Sequence, residues 1–186
     1  MRNIFLISVF CLCYAALNAQ NTSTKAKLSE GAALLFKNVK TTLTAEEKNH
    51  LYRKVGLKLS PDKKAFFIDE YDVEVRVFAT DMNKDGTDEI FVGFNSVALF
   101  GNMGENYSLF IKDKAGTYQQ EPDIAGGQPI ILKTSNLAYP DLLIGGPGFE
   151  FPVYRWNGKT YVYHRIEKDG ILNNGGALHL DEYQKK

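Results

Sequence analysis

Two similar strand-like stretches limit the fold more than any other feature of this chain. They read EIFVG and DLLIG and begin at residues 89 and 141, 52 positions apart. A period of roughly 40–50 residues with several strands per unit is typical of propeller-like blades. A closed propeller needs about four to eight blades, whereas 186 residues hold two such units. We therefore predict a mainly β fold of two propeller-blade-like antiparallel β-meanders, not a complete propeller.

The strands themselves are indicated by alternation. Residues 71–80 read YDVEVRVFAT, and their apolar side chains recur at every second position, as in a half-buried strand. Asn157-Gly158 separates two further alternating runs and is the strongest hairpin signal in the chain. These patterns place a β domain at residues 65–186, with its two units at 71–120 and 129–166.

A helical segment precedes this β domain. Residues 20–64 are predicted to comprise a flexible polar leader and a helical stretch that ends near Ser60-Pro61, because a residue before proline avoids helical dihedrals. Thr44 and Glu47 have the spacing of a capping box. Leu51 and Val55 would form the buried stripe of the helix that follows.

The first 19 residues have the pattern of a secretory signal peptide. Arg2 is followed by the 14-residue apolar run IFLISVFCLCYAAL and by the small residue Ala19. A membrane anchor or a buried N-terminal segment is the alternative interpretation, although the run is short for crossing a bilayer. Export is therefore expected, to the periplasm, the cell surface or the extracellular space of a bacterium, with no integral membrane segment in the mature chain.

Charge and cysteine content exclude several classes of function. Lysine and arginine number 22 and acidic residues 22; loss of Arg2 with the signal leaves 21 against 22, a net charge of about −1. Such a chain lacks the basic surface of a nucleic-acid-binding protein, so no nucleic-acid partner is expected. Both cysteines, Cys11 and Cys13, would also leave with the signal. The mature chain would then have no disulfide, no zinc–thiolate site and no cysteine nucleophile.

An acidic loop between two predicted strands has the spacing of a calcium loop. Oxygen-bearing side chains alternate along it, and a glycine at position 86 permits the sharp reversal that lets such a loop surround one ion. The candidate ligands are Asp81, Asn83, Asp85, Thr87 and Glu89. From 81 to 89 one lysine faces four acidic residues, so the loop carries a charge of about −3. The alternative is a polar turn that uses asparagine and glycine for their backbone dihedrals.

The loop differs from an EF-hand and is similar to another family. An EF-hand needs a bidentate glutamate at position 12, where this chain has Val92. The pattern Asp81-x-Asn83-x-Asp85-Gly-x-x-Glu89-Ile, between two strands, resembles the calcium loop of FG-GAP (VCBS-type) repeats, the blades of integrin-α-like propellers. The resemblance covers residues 71–166 and implies one structural Ca²⁺ in a divergent secreted bacterial member. The family usually has aspartate where this chain has Glu89.

The second unit keeps the strand but loses the ligands. Its sequence DLLIGGP is close to the family's apolar strand followed by Gly-Ala-Pro, with Asp141 at the slot that corresponds to Glu89. Counting back eight residues gives Lys133, Ser135 and Leu137 at the remaining ligand positions. We therefore expect one calcium ion per chain, bound in the first unit only.

No catalytic signature stands out, so binding and enzymatic interpretations both remain. The sequence contains no Gly-x-Ser-x-Gly elbow. A hydrolytic pair such as Glu150 with Asp141, or Glu150 with His164, is not favoured by the spacing of these residues. Residues 145–156 are rich in aromatics, which indicate either a core or a face that binds a protein or glycan. The sequence predicts a calcium-stabilised binding module whose partner is an unknown protein or glycan. The alternative is a periplasmic or surface hydrolase, or an enzyme inhibitor, that uses residues 145–156.

Overall fold

The computed structural model describes residues 26–122, 124–168 and 178–183. The predicted signal peptide at 1–19 and the first part of the predicted leader lie outside the described residues. The described helices are α1 (Glu30–Leu35), α2 (Ala45–Val55), α3 (Val97–Phe100) and α4 (Leu180–Tyr183). The described strands are β1 (Lys58–Leu59), β2 (Phe66–Ile68), β3 (Tyr71–Thr80), β4 (Glu89–Asn95), β5 (Glu105–Lys112), β6 (Tyr118–Gln120), β7 (Pro129–Asn136), β8 (Tyr139–Ile144), β9 (Glu150–Trp156), β10 (Tyr161–Lys168) and β11 (Leu178–His179).

The strands form two antiparallel sheets that follow the chain. In the first sheet, β1 to β6 lie side by side in sequence order, and in the second the order is β10-β9-β8-β7-β11. Every strand pair is antiparallel, as expected when short connections join neighbours in sequence. The prediction of a mainly β fold with two meanders and an N-terminal helical segment is confirmed, and the described strands do not form a complete propeller.

The helical segment contains two helices, and its end differs from the prediction. The Thr44 hydroxyl accepts the N–H of Glu47, and the Glu47 carboxylate accepts the N–H of Thr44 at 2.8 Å, so the predicted capping box is confirmed. Helix α2 ends at Val55, before the predicted stop at Ser60-Pro61. The reason is Gly56, whose left-handed φ of +75° ends the helix and directs the chain into β1.

The first sheet is buried on both faces, which makes three layers. Leu51 and Leu35 of the helices pack on one face of the sheet together with Ile90 of β4. Phe91, the next residue of β4, belongs to a second core that also contains Leu142 and Tyr161 of the second sheet. Because successive side chains of a strand point to opposite faces, β4 must be apolar throughout to fit between the two layers.

Candidate functional site

The acidic loop closes the hairpin between β3 and β4. Thr80 pairs with Glu89 at the end of the ladder, so residues 81–88 form the connection. Gly86 adopts a φ of +85°, and Lys84 is also left-handed with a φ of +62°. The two left-handed residues bend the connection sharply, as the predicted calcium loop requires.

Three predicted ligands turn their side chains onto the backbone of the loop. The Asp81 carboxylate accepts the N–H groups of Asp85 and Gly86, each at 3.0 Å. The Asn83 side-chain oxygen accepts the same Asp85 N–H at 3.0 Å. The Asp85 carboxylate accepts the Thr87 N–H at 2.8 Å. Carboxylate and amide oxygens each have two lone-pair directions. A single N–H contact therefore leaves the oxygens of Asp81, Asn83 and Asp85 able to bind a cation as well.

Glu89 is the buried member of the predicted set. Its side chain is 2% exposed and accepts the N–H of Met82 at 2.7 Å and the hydroxyl of Tyr139 at 3.2 Å. Burial raises the pKa of Glu89 to about 8, and the charges of Asp85 and Asp81 act in the same direction, whereas the two hydrogen bonds lower it. Glu89 therefore lies where a proton or a cation would stabilise it.

A small cavity brings together three of the five predicted ligands. Asp85, Thr87 and Glu89 line a space of about 160 Å³. Asp113, from the turn between β5 and β6, lines the same cavity, and its carboxylate also accepts the N–H groups of Ala115 and Thr117. Asp113 lies outside the ligand pattern of the loop sequence, because its proximity depends on how two separate hairpins lie side by side.

The donor chemistry suits calcium, but the side chains are not gathered into a complete coordination shell. Hard oxygen ligands are those that Ca²⁺ prefers. Among the residues described here, no three His, Cys, Asp or Glu side chains are grouped so that they could hold a metal ion. Asp81 and Asn83 do not belong to the cavity lining, and the loop side chains would have to turn to complete a shell.

Asp88 connects the acidic loop to the segment before α2, a role that the spacing of the loop residues does not indicate. Its carboxylate accepts the Thr41 hydroxyl at 2.7 Å and the Thr42 N–H at 2.8 Å, just before the start of α2. The acidic loop is therefore tied to the helical layer through a residue outside the predicted ligand set.

The corresponding carboxylate of the second unit, Asp141, is ion-paired with two arginines. Asp141 is fully buried and accepts hydrogen bonds from Arg155 at 2.7 and 2.9 Å, from Arg165 at 3.2 Å and from the Thr134 hydroxyl at 2.6 Å. Burial alone would raise the pKa of Asp141, but the bonds from Arg155, Thr134 and Arg165 lower it to about 2. The three residues aligned with the lost ligands, Lys133, Ser135 and Leu137, are exposed.

The residues of the alternative enzyme hypothesis have separate partners. Asp141 is bound by two guanidinium groups, whereas Glu150 pairs with Lys168 at 3.2 Å on the exposed end of the β9–β10 hairpin. His164 is exposed at a bulge in β10, between Tyr163 and Arg165. These contacts give each acidic side chain a structural role and no shared partner.

The aromatic residues of 149–163 divide between core and surface. Phe151 and Tyr161 are buried, and Tyr154 and Trp156 are partly buried against the core between the sheets. Phe149 is 77% exposed and Tyr163 58% exposed. The interpretation as core therefore applies to the buried and partly buried aromatics, and only Phe149 and Tyr163 are available for a binding face.

Three exposed apolar side chains of the β9–β10 hairpin, Phe149, Tyr163 and Ile166, are the candidates for a binding face and are called the partner surface below. Tyr163 pairs with Tyr154, and Ile166 pairs with Pro152. Since Tyr154 and Pro152 are two residues apart on β9, the side chains of Tyr163 and Ile166 share one face of the hairpin. Phe149 directly precedes β9 on the same hairpin.

No helix in the described part of the chain is both long and apolar enough to span a membrane. Comparison of the chain with protein-family models, with curated proteins and with solved structures gave no match. The similarity to FG-GAP repeats therefore stays a prediction that depends on the residues of the acidic loop.

Proposed function

We propose that this chain is an exported β domain, stabilised by one calcium ion at the acidic loop, that binds a protein or a glycan through the partner surface. The exposure of large apolar side chains on one hairpin is the observation that carries the proposal. A side chain such as Phe149 that is 77% exposed contributes little to folding, and exposed apolar side chains that share a face, as Tyr163 and Ile166 do, are typical of interaction sites.

The calcium part of the proposal is supported by the contrast between the two units. In the second unit, two arginines compensate the buried Asp141. In the first unit, no lysine or arginine within the described ranges lies within 4 Å of the carboxylates of Asp81, Asp85 or Glu89. Lys112 lines the small cavity beside Asp85, but its ammonium group is paired with Glu47 at 2.6 Å. A divalent cation would supply the missing charge, with oxygen ligands drawn from the loop.

Calcium binding can be tested by thermal unfolding of the mature chain in 10 mM calcium and in chelator. Extracellular calcium modules bind with Kd values of roughly 10⁻⁴–10⁻³ M, and a ligand at about ten times its Kd stabilises the native state by about 1.4 kcal/mol. We expect calcium to raise the Tm by a few degrees in the wild type and not in Asp81→Ala. Asp72→Ala, an exposed change on β3, is the control and should keep the response.

The calcium proposal is wrong if the Tm is the same in calcium and chelator, or if Asp81→Ala responds like the wild type.

Partner binding needs a separate measurement: co-sedimentation with insoluble chitin, cellulose and peptidoglycan, and cross-linking to cell-envelope proteins. The double variant Phe149→Ser/Tyr163→Ser should lose whatever the wild type binds, whereas Val97→Ser, on a residue 71% exposed elsewhere, should retain it. Equal binding by both variants would exclude the partner surface.

A further inference from the structure

A second, larger cavity is lined by Met82 and Lys84 of the acidic loop and by residues of the second sheet. Its volume is about 470 Å³, within the range of small-molecule sites. Its apolar lining comes from several separate parts of the chain, among them Met82 of the loop, Ile131 and Leu132 of β7, and Leu178 of β11. The cavity is therefore formed by the meeting of both sheets and is separate from the partner surface on the β9–β10 hairpin.

Two lysines give this apolar cavity a positive lining. Lys84 reaches it from the acidic loop and Lys133 from β7, and both are exposed. Neither ammonium group has a carboxylate within 4 Å among the residues that the structure describes. A partly apolar cavity lined by two ammonium groups without a close ion pair is complementary to a molecule with an apolar body and an anionic group.

Left-handed backbone adjoins the cavity. Five non-glycine residues in the described ranges have a positive φ, and two of them, Lys84 at +62° and Ala138 at +71°, line this cavity. A third, Leu137 at +48°, adjoins Ala138 in the turn between β7 and β8. Leu137 and Ala138 are the two central residues of the tight β7–β8 hairpin, a turn that requires a positive φ at both positions, so the turn fixes the position of Ala138 at the cavity.

The irregularity of β7 has the same location. The register of β7 against β8 shifts between Ile131 and Ser135, so the intervening residues, which include Leu132 and Lys133, leave the regular ladder. Such bulges redirect side chains and are frequent beside binding sites. Ile131, Leu132 and Lys133 all line the cavity, although the side chains of Ile131 and Leu132 belong to cores on opposite faces of the sheet.

The acidic loop limits the charge that this site can accept. Lys84 is flanked in sequence by Asn83 and Asp85, and the loop as a whole carries a charge of about −3. A multiply charged anion such as a phosphate monoester would be repelled by these carboxylates. A single carboxylate that is held between two lysines meets less repulsion.

We propose that this cavity binds a small monocarboxylate with an apolar chain or ring. Its carboxylate would lie between Lys84 and Lys133, and its apolar part would pack on Met82, Ile131 and Leu178. The proposed ligand is chemically distinct from calcium and occupies a different surface from the protein or glycan partner. The inference therefore goes beyond the proposed function and does not depend on it.

The test is calorimetric titration of the mature chain with sodium octanoate, with octanol and acetate as probes that lack the charge or the chain. We expect saturable one-to-one binding of octanoate. Octanol should bind at least about tenfold more weakly because it lacks the charged hydrogen-bonding group, and acetate at least about tenfold more weakly because it lacks the apolar chain. Lys84→Gln and Lys133→Gln should each weaken octanoate binding about tenfold. Lys114→Gln, on the exposed turn between β5 and β6, is the matched control and should bind octanoate like the wild type.

Ser135→Trp provides a second, independent variant. Ser135 is exposed and lines the cavity, so an indole at this position would fill the cavity without disturbing the core. We expect Ser135→Trp to abolish octanoate binding while its Tm stays near that of the wild type. Equal binding of octanoate and octanol, or unchanged octanoate binding in Ser135→Trp, would overturn the proposal. All titrations are made in chelator, so a failure of calcium binding would leave their outcome unaffected.

Discussion

Glu89 and Asp141 occupy corresponding positions in the two units, but the groups around the two carboxylates shift their pKa values in opposite directions. Asp141 is surrounded by cationic donors and has a pKa lowered to about 2. Glu89 is bound by a backbone N–H and a tyrosine hydroxyl, and its pKa is raised to about 8. At neutral pH the first carboxylate is charged and compensated, whereas the second favours its protonated form in the absence of a cation. The two residues therefore predict opposite responses to pH and to mutation.

Asp141→Asn should lower the free energy of unfolding by about 3 kcal/mol, because it removes the partner of two guanidinium groups. The arginine side chains are 32% and 30% exposed, so water compensates them in part and the lower end of the range for a buried ion pair applies. Because the pKa of Asp141 is lowered, its stabilisation is present above the ordinary aspartate value and is lost as the pH falls toward about 2.

Urea unfolding at pH 7 measures this effect. Glu150→Gln is the control, because it breaks an ion pair whose side chains are 60% and 80% exposed, and such pairs contribute about 1 kcal/mol or less. A loss of stability in Asp141→Asn no larger than that in Glu150→Gln would show that the arginines do not depend on Asp141.

In chelator, the contribution of Glu89 to the free energy of unfolding should change with pH in the opposite direction to that of Asp141. Because the pKa is higher in the folded state, the native protein binds more protons than the unfolded chain between the ordinary value of 4.5 and about 8. The contribution is present below pH 4.5 and is lost as the pH rises through 8, by a total on the order of 5 kcal/mol. Unfolding from pH 5 to 9 should show this decline in the wild type, whereas Glu89→Gln should show a much flatter profile. The exposed Glu70→Gln should follow the wild type; parallel profiles of wild type and Glu89→Gln would contradict the assignment.

At the scale of elements, local patterns predicted well wherever a few neighbouring residues determine the outcome. The alternation at 71–80 coincides with β3. The capping box at Thr44 starts α2, and Asn157-Gly158 joins β9 to β10. In that connection the Asn157 side chain accepts the N–H groups of Lys159 and Thr160, so the turn is stabilised by residues adjacent in sequence. Such features depend on short-range sterics and hydrogen bonds, which a sequence displays directly.

Elements and contacts that depend on tertiary structure were not predictable. Strands β1 and β11 have two residues each and are held by pairing with β2 and β7, so they have no periodicity of their own. The bonds of Arg155 and Arg165 to Asp141 depend on the register of three strands. The predicted calcium loop was found from spacing, but Asp113, which lines the cavity beside it, comes from another hairpin. No one-dimensional pattern contains those distances.

At the scale of the whole molecule, the two sheets of the described residues are joined by a shared core and by hydrogen bonds. The core between them contains Phe91 from the first sheet and Leu142 from the second. Glu89 of the first sheet accepts the Tyr139 hydroxyl of the second, and Glu121, next to β6, accepts the Tyr161 N–H at 2.9 Å. Residues whose contacts span two sheets make the stability of each sheet depend on the other, so the sheets should unfold in one cooperative transition.

Phe91→Ala tests this cooperativity, because the chain has a single tryptophan and Trp156 lies in the second sheet. Loss of the fully buried Phe91 ring leaves a cavity and should lower the free energy of unfolding by about 3–5 kcal/mol. Since Phe91 lies in the first sheet, a shared core requires that Trp156 fluorescence and far-ultraviolet circular dichroism report the same lowered midpoint in urea. Phe149→Ala removes a ring of equal size that is 77% exposed and should change the midpoint little. A fluorescence midpoint that stays at the wild-type value while the dichroism midpoint falls would mean that the second sheet unfolds independently of the first.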